Sequence, residues 1–159
     1  MREMLSLGLI EAEKAIAAGI EAATKLNRPM AFAVADMGAE MIATARMDGA
    51  NPRILRHSIR KAYTAALMCR HTLSFKRDLE EREGALDQWG DLNLTTLPGG
   101  LVVQRGEVFV GGVGAGGGGP HDEEVARIMV RAMGFEVVES DCGGAQSSCL
   151  RGEAIAVGC

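Results

Sequence analysis

Aromatic residues are scarce in this chain, whose 159 residues include one Trp, one Tyr and four Phe. A basic excess is also lacking, since 17 Lys and Arg stand against 21 Asp and Glu and the formal net charge is −4 at pH 7. Nucleic-acid-binding proteins combine a positive surface with aromatic residues on which bases stack. The composition therefore argues against a nucleic-acid partner.

Long apolar runs are missing as well. A membrane-spanning helix needs about 20 consecutive apolar residues, and charged residues interrupt every apolar stretch of this chain. Near the start, Arg2, Glu3, Glu11 and Glu13 break what would otherwise resemble a signal sequence. We therefore predict no membrane partner and a cytoplasmic location.

Cysteines are few and lie mainly near the C-terminus: Cys142, Cys149 and Cys159 follow an isolated Cys69. Their spacing does not match the close Cys pairs of zinc sites, so we predict no metal site. We predict a single domain over 1–139 and a flexible Cys-containing tail over 140–159 in a reducing compartment. A redox or metal role for Cys142 and Cys149 is the alternative.

Hydrophobic periodicity predicts the secondary structure. Apolar spacing and charge pattern predict helices over 5–26, 52–69, 74–89 and 122–133, with Ser6 and Asn51 as caps of the first two. Shorter apolar runs predict strands over 30–36, 40–47, 101–104, 107–114 and 135–139. Because the strands come in hairpin pairs, we predict an α/β fold of the α+β kind: an antiparallel sheet of about five strands packed by helices, as in a profilin- or PAS-like sandwich.

Six short motifs occur in one order along residues 5–134. They are Ala35-Asp36-Met37-Gly38, Arg46-Met47-Asp48-Gly49-Ala50, Lys61-Ala62-Tyr63-Thr64-Ala65, Leu97-Pro98-Gly99-Gly100, Val110-Gly111-Gly112-Val113-Gly114 and His121-Asp122-Glu123. This ordered set resembles the GlcG/HbpS haem-degrading family, which is related to the C-terminal domain of PduO-type proteins. The resemblance implies a homo-oligomer with ligand sites near subunit contacts, and haem or corrinoid as the cofactor.

A glycine-rich loop, Gly114–Gly119, precedes the last predicted helix. Backbone N–H groups at such a position form a cradle for an anion, and we expect Gly116, Gly117 and Gly118 to bind one. No Lys-Ser/Thr pair follows, so the loop is not a nucleotide P-loop. The alternative is a plain connection between a hairpin and a helix.

Three side chains near this loop in the predicted fold are candidates for proton transfer. His121 precedes Asp122, which could orient the imidazole as a general base near neutral pH; the alternative is a surface histidine. Lys61 shares a helix face with His57 and Thr64 in an alanine-rich stretch. A buried ammonium needs a partner, which Asp36, Asp48 or a ligand anion would provide.

Arg46 lies near the end of the second predicted strand and is suited to bidentate binding of a carboxylate. We expect Arg46, Lys61, the glycine loop and His121 to line one pocket. Two functions fit this constellation. The first is binding of an anionic small molecule such as haem, a corrinoid or a small carboxylate. The alternative is a cofactor-independent isomerase, tautomerase, hydratase or lyase with Lys61, His121 and Asp122 as catalytic residues.

Overall fold

A computed structural model describes residues 5–138 as an antiparallel sheet covered by helices on both faces. The helices are α1 (Leu9–Lys25), α2 (Pro52–Met68), α3 (Thr72–Glu81) and α4 (Asp122–Ala132), with short 3-10 helices at Leu86–Trp89 and Gly119–His121. The strands are β1 (Ala31–Asp36), β2 (Met41–Arg46), β3 (Gly100–Arg105) and β4 (Val108–Gly116). Their order in the sheet is β2-β1-β4-β3. The α+β class and the two antiparallel hairpins are thereby confirmed.

The described sheet has four strands, so the prediction of about five was too high. Residues 135–138 of the expected last strand are not paired with the sheet, and Glu139 lies outside the described residues. Phe135 and Val137 pack against the core without forming a β-ladder. The alternating apolar residues at this position are therefore partly buried against the core without strand pairing.

The two faces of the sheet carry side chains of different size. Phe32 and Val34 of β1 point into a core that they share with residues of α1 and α4. Met129 of α4 is one of the buried residues of this core. The intervening Ala33 and Ala35 face α2 in a second cluster. Successive residues of a strand point to opposite faces, so the alternation of large and small residues in β1 sets up both layers.

Strand β4 lets α2 approach the sheet with almost no side chain between them. A Cβ added at Gly114 would lie 2.1 Å from the Ser58 carbonyl oxygen, and one at Gly112 would lie 2.7 Å from the Ala62 carbonyl oxygen. At these positions only hydrogen fits, because real Cβ atoms essentially never approach another atom within 3.0 Å. The glycines of β4 therefore fix the position of α2, which carries Lys61.

The helix ends follow local hydrogen bonding. Asn51 caps α2 as expected, its side-chain oxygen accepting from Arg53 N at 3.0 Å. The expected Ser6 cap of α1 is wrong: α1 begins after Gly8, and Ser6 Oγ instead accepts from Met37 N at 3.1 Å. The helix expected over 74–89 ends at Glu81, and Glu83 then takes a left-handed φ of 50°.

Cys69 at the end of α2 is disulfide-bonded, which the interpretation of the cysteines did not anticipate. The other three cysteines, Cys142, Cys149 and Cys159, and the predicted tail over 140–159 lie outside the described residues. Across residues 5–138, no helix is long and apolar enough to cross a membrane.

Candidate functional site

Lys61 is a buried cation with a carboxylate partner. Its side chain is 4% exposed, and its Nζ donates to Asp122 Oδ2 at 2.7 Å and to the Ala115 carbonyl oxygen at 2.7 Å. Asp122, at the start of α4, is 10% exposed. The expected partners of Lys61 were Asp36, Asp48 or a ligand anion. Asp122 takes that place, because the glycine loop after β4 brings the first turn of α4 to the Lys61 side chain.

Burial changes the titration of Lys61. Desolvation lowers its pKa below the usual 10.5, and the nearby Asp122 carboxylate opposes that shift by attraction and by its hydrogen bond. Loss of hydration therefore has a larger effect on the pKa of Lys61 than the ion pair with Asp122 has. A lysine with a lowered pKa gives up its proton more readily than a solvent-exposed one.

The glycine loop holds a carboxylate, but that carboxylate belongs to the chain itself. Gly118 N donates to Asp122 Oδ1 at 2.7 Å, while Asp122 Oδ2 accepts from Lys61. Positive φ angles at Gly117 (100°) and Gly119 (64°) make this turn possible. The loop, Lys61 and Asp122 thus form one buried network in which both carboxylate oxygens accept a hydrogen bond.

This network lies at a cavity of about 330 Å³, which we call the Lys61 cavity. Its lining residues come from α2, the segment before β3, the glycine loop and α4; they are Ile54, His57, Lys61, Leu97, Pro98, Gly116, Gly117, Gly119 and Asp122. The structure therefore brings Lys61, Asp122, Gly116 and Gly117 of the predicted site to one cavity. Gly118 reaches it through its hydrogen bond to Asp122.

Two predicted residues lie elsewhere in the described chain. His121 is exposed and lines a different cavity of about 310 Å³ between α1 and α4, together with Ala18, Ala22 and Val125. Its backbone ends the short 3-10 helix, which turns the side chain to the α1 side of the sheet while Asp122 faces α2. Arg46 is exposed on the edge strand β2 and donates from Nη1 to the Ala50 carbonyl oxygen at 2.6 Å.

A stripe of exposed arginines lies on α2, the helix that carries Lys61. Arg53, Arg56 and Arg60 of α2 repeat at three- and four-residue spacing, each one position before the cavity residues Ile54, His57 and Lys61. Within residues 5–138 none of these arginines pairs with a carboxylate. No Asp or Glu occurs in α2. We missed this stripe in the sequence, although the absence of acidic residues over 52–68 was visible there.

The chain has three histidines, and the structure separates their roles. His71 is buried, with Nδ1 accepting from Val102 N at 3.2 Å and Nε2 lying 2.6 Å from the Val138 carbonyl oxygen. Both ring nitrogens are therefore engaged with backbone, and His71 serves structure. His57 lines the Lys61 cavity and His121 lines the α1–α4 cavity. Over the described part of the chain, no three His, Cys, Asp or Glu side chains form a metal-binding group.

Comparisons with known proteins give consistent results. A family model described as "Haem degrading protein HbpS-like" matches residues 7–131. Protein GlcG of Escherichia coli strain K12 is 36% identical over 114 residues, which cover 72% of this chain and 84% of GlcG. A double mutant of HbpS from Streptomyces reticuli is 30% identical, with a TM-score of 0.75 over 82% of this chain and 89% of HbpS.

A complex of PduOC with haem also superimposes on this chain. Its TM-score is 0.76, with coverage of 85% of this chain and 100% of PduOC. The sequence identity is 23%, and at that level the similarity shows a shared fold.

Proposed function

Because this chain belongs to the HbpS-like family of haem degrading proteins, we propose that it binds a small anionic molecule of the haem class at the Lys61 cavity. The observation that carries this proposal is the stripe of Arg53, Arg56 and Arg60 on α2, the helix that also lines the cavity; within residues 5–138 these arginines pair with no carboxylate. Cations near the N-terminal end of a helix repel the positive end of its dipole. A bound anion would offset that repulsion.

The cavity volume limits what part of the ligand is enclosed. About 330 Å³ is at the low end of the range for small-molecule sites, enough for a small carboxylate or for one carboxylate arm of a larger molecule. The residues present fit haem in two respects. The arginine stripe would hold propionate groups, and the imidazole of His57 is an iron ligand of the kind that haem proteins use. Haem would supply redox and oxygen chemistry when bound.

Titration with hemin, followed by the Soret band, tests the proposal. We expect saturable binding that weakens as salt rises, because exposed charges are screened. Changing Arg53, Arg56 and Arg60 together to Gln removes three exposed cations at roughly 0.5 kcal/mol each. The sum predicts about tenfold weaker binding.

The matched control changes three other exposed cations to Gln, namely Lys14, Arg77 and Arg105. It removes the same charge away from the Lys61 cavity and should leave the hemin affinity within about twofold. Equal losses in the two triple variants, or no saturable binding at all, would contradict the proposal. His57→Ala and His121→Ala distinguish the two cavities: loss of the Soret shift only in His121→Ala would move the site to the α1–α4 cavity.

The lowered pKa of Lys61 favours a second candidate, proton transfer on a small carboxylate by Lys61 and Asp122. Exchange of the C3 protons of pyruvate in D₂O, followed by proton NMR, is a direct assay. Activity that Lys61→Met abolishes and His121→Ala preserves would support this candidate. Exchange no faster than in buffer would oppose it.

A further inference from the structure

A second site lies on the same side of the sheet as α2 but shares no lining residue with the Lys61 cavity. It is a cavity of about 410 Å³ between the end of α2, α3 and the 3-10 helix Leu86–Trp89, which we call the Trp89 cavity. Its apolar lining consists of Leu67, Met68, Phe75, Leu79, Trp89 and Leu94. Its volume falls within the range of small-molecule sites.

Two aromatic rings stand at the wall of the Trp89 cavity. Phe75 is 2% exposed, whereas Trp89 is 50% exposed. Their ring centroids are 5.6 Å apart and the planes meet at 77°, an edge-to-face contact. The buried ring thus holds the exposed one in a defined orientation, and the two together offer a surface suited to a planar ring.

The polar side of the Trp89 cavity contains a donor without an acceptor. Arg70 is 4% exposed and pairs through Nη1 with Asp78. Its Nε is buried and has no hydrogen-bond partner, the one such side-chain atom found among residues 5–138. Buried polar groups are nearly always paired, so an acceptor that reaches Nε from the cavity, once the Arg70 side chain shifts to expose this atom, would complete the pairing of Arg70.

The charges that line the Trp89 cavity cancel. Arg70 and Arg82 face Asp78 and Asp91, and Arg82 Nη2 lies 3.6 Å from Asp78 Oδ2. Asp91 accepts from the Tyr63 hydroxyl at 2.8 Å. An added negative charge would lie beside the Asp78 carboxylate, so the balance favours an uncharged ligand.

We propose that the Trp89 cavity binds an uncharged aromatic molecule that carries a carboxamide or a similar hydrogen-bonding group. The ring would pack against Trp89 and Phe75. The carbonyl oxygen would accept from Arg70 Nε, and the amide N–H would donate to the Asp78 carboxylate. This site is independent of the function proposed for the Lys61 cavity.

Benzamide and benzoate, which share one shape and differ in charge, test the proposal on the full chain. Trp89 is the single tryptophan of the protein, so its fluorescence reports on this cavity, and calorimetry gives an independent affinity. We expect benzamide to change the emission saturably and to bind at least about tenfold more tightly than benzoate. Equal affinities, or no saturable signal by either method, would overturn the proposal.

Arg70→Lys tests the donor itself. Lysine retains the charge opposite Asp78 but lacks the Nε–H, so we expect about tenfold weaker benzamide binding. Arg77→Lys is the matched control, since Arg77 is an exposed residue of α3 outside the cavity lining. Unchanged binding in a folded Arg70→Lys variant would refute the assignment of the donor.

Discussion

Replacing Asp122 with Asn tests whether Lys61 depends on this carboxylate. The asparagine side chain has one oxygen, which cannot take the separate places of Oδ1, bound to Gly118 N, and Oδ2, bound to Lys61 Nζ. One of the two donors then loses its acceptor, and the Lys61 charge stays buried at 4% exposure without a counter-ion. Breaking a buried ion pair from one side costs about 3–5 kcal/mol.

Lys61→Met should cost less, about 1–3 kcal/mol. The Asp122 carboxylate that remains still accepts from Gly118 N and lies in the first turn of α4, whose dipole favours a negative charge. Among residues 5–138, by contrast, Lys61 has only the Ala115 carbonyl oxygen as an acceptor besides Asp122. The structure therefore predicts that the two substitutions lower the free energy of unfolding by unequal amounts, and that Asp122→Asn lowers it more.

Urea unfolding at pH 7 measures both variants. Thermal unfolding provides a second measure, in which about 3 °C per kcal/mol predicts that Asp122→Asn lowers the Tm by roughly 9–15 °C. A loss below about 1 kcal/mol for Asp122→Asn, or an equal or larger loss for Lys61→Met, would refute the reasoning.

The pH dependence gives an independent check. Removing Asp122 leaves desolvation unopposed, so the folded-state pKa of Lys61 should fall further below 10.5. For a lysine with a lowered pKa the unfolded chain binds more protons, so the unfolding free energy rises as pH increases from the folded pKa toward 10.5. The deficit of Asp122→Asn should therefore shrink between pH 7 and pH 10.

Three further predictions concern packing, titration and assembly. Gly114→Ala should lower the free energy of unfolding by about 3 kcal/mol, at the upper end of overpacking effects, because its Cβ would meet the Ser58 carbonyl oxygen. Gly84→Ala is the control: its Cβ has room, so the free energy of unfolding should change by no more than about 0.5 kcal/mol in the same urea titration. The hydrogen bond to Asp91 raises the pKa of Tyr63, so the stability advantage over Tyr63→Phe should fall as pH rises above 10. Light scattering at micromolar concentration should show a homo-oligomer, and a monomer would contradict that expectation.

Local patterns predicted most of the fold. The large and small residues of β1 indicated a sheet with a closely packed helix on one face, and Phe32 and Ala33 do lie in separate clusters. Asn51 and Pro52 marked the start of α2 correctly. The prediction of a fifth strand was wrong because Phe135 and Val137 are partly buried by side-chain packing alone. Apolar alternation does not distinguish such a segment from a paired strand.

The site was only partly predictable. Sequence indicated that Lys61 is buried and needs a partner, but the partner depends on where the glycine loop places α4. His121 and Asp122 are adjacent in sequence, but their side chains point to different cavities. The residues before α4 have no hydrophobic periodicity from which these two directions could be predicted. Arg46 was predicted to bind a ligand because the sequence shows its charge. Its observed hydrogen bond to the Ala50 carbonyl oxygen depends on the conformation of the turn after β2, which the sequence pattern did not indicate.

The contact between α2 and β4 makes the two faces of one sheet unequal in how they tolerate mutation. Phe32 and Met129, on the α1 and α4 side, have side chains that can become smaller, and a neighbour can compensate for the lost volume. Gly112 and Gly114 have no side chain to lose, so every substitution there adds atoms against the backbone of α2. Substitutions during evolution can therefore exchange side-chain volume between neighbours in the layer of α1 and α4. In the layer that holds Lys61, a substitution of either glycine can only push α2 away from the sheet.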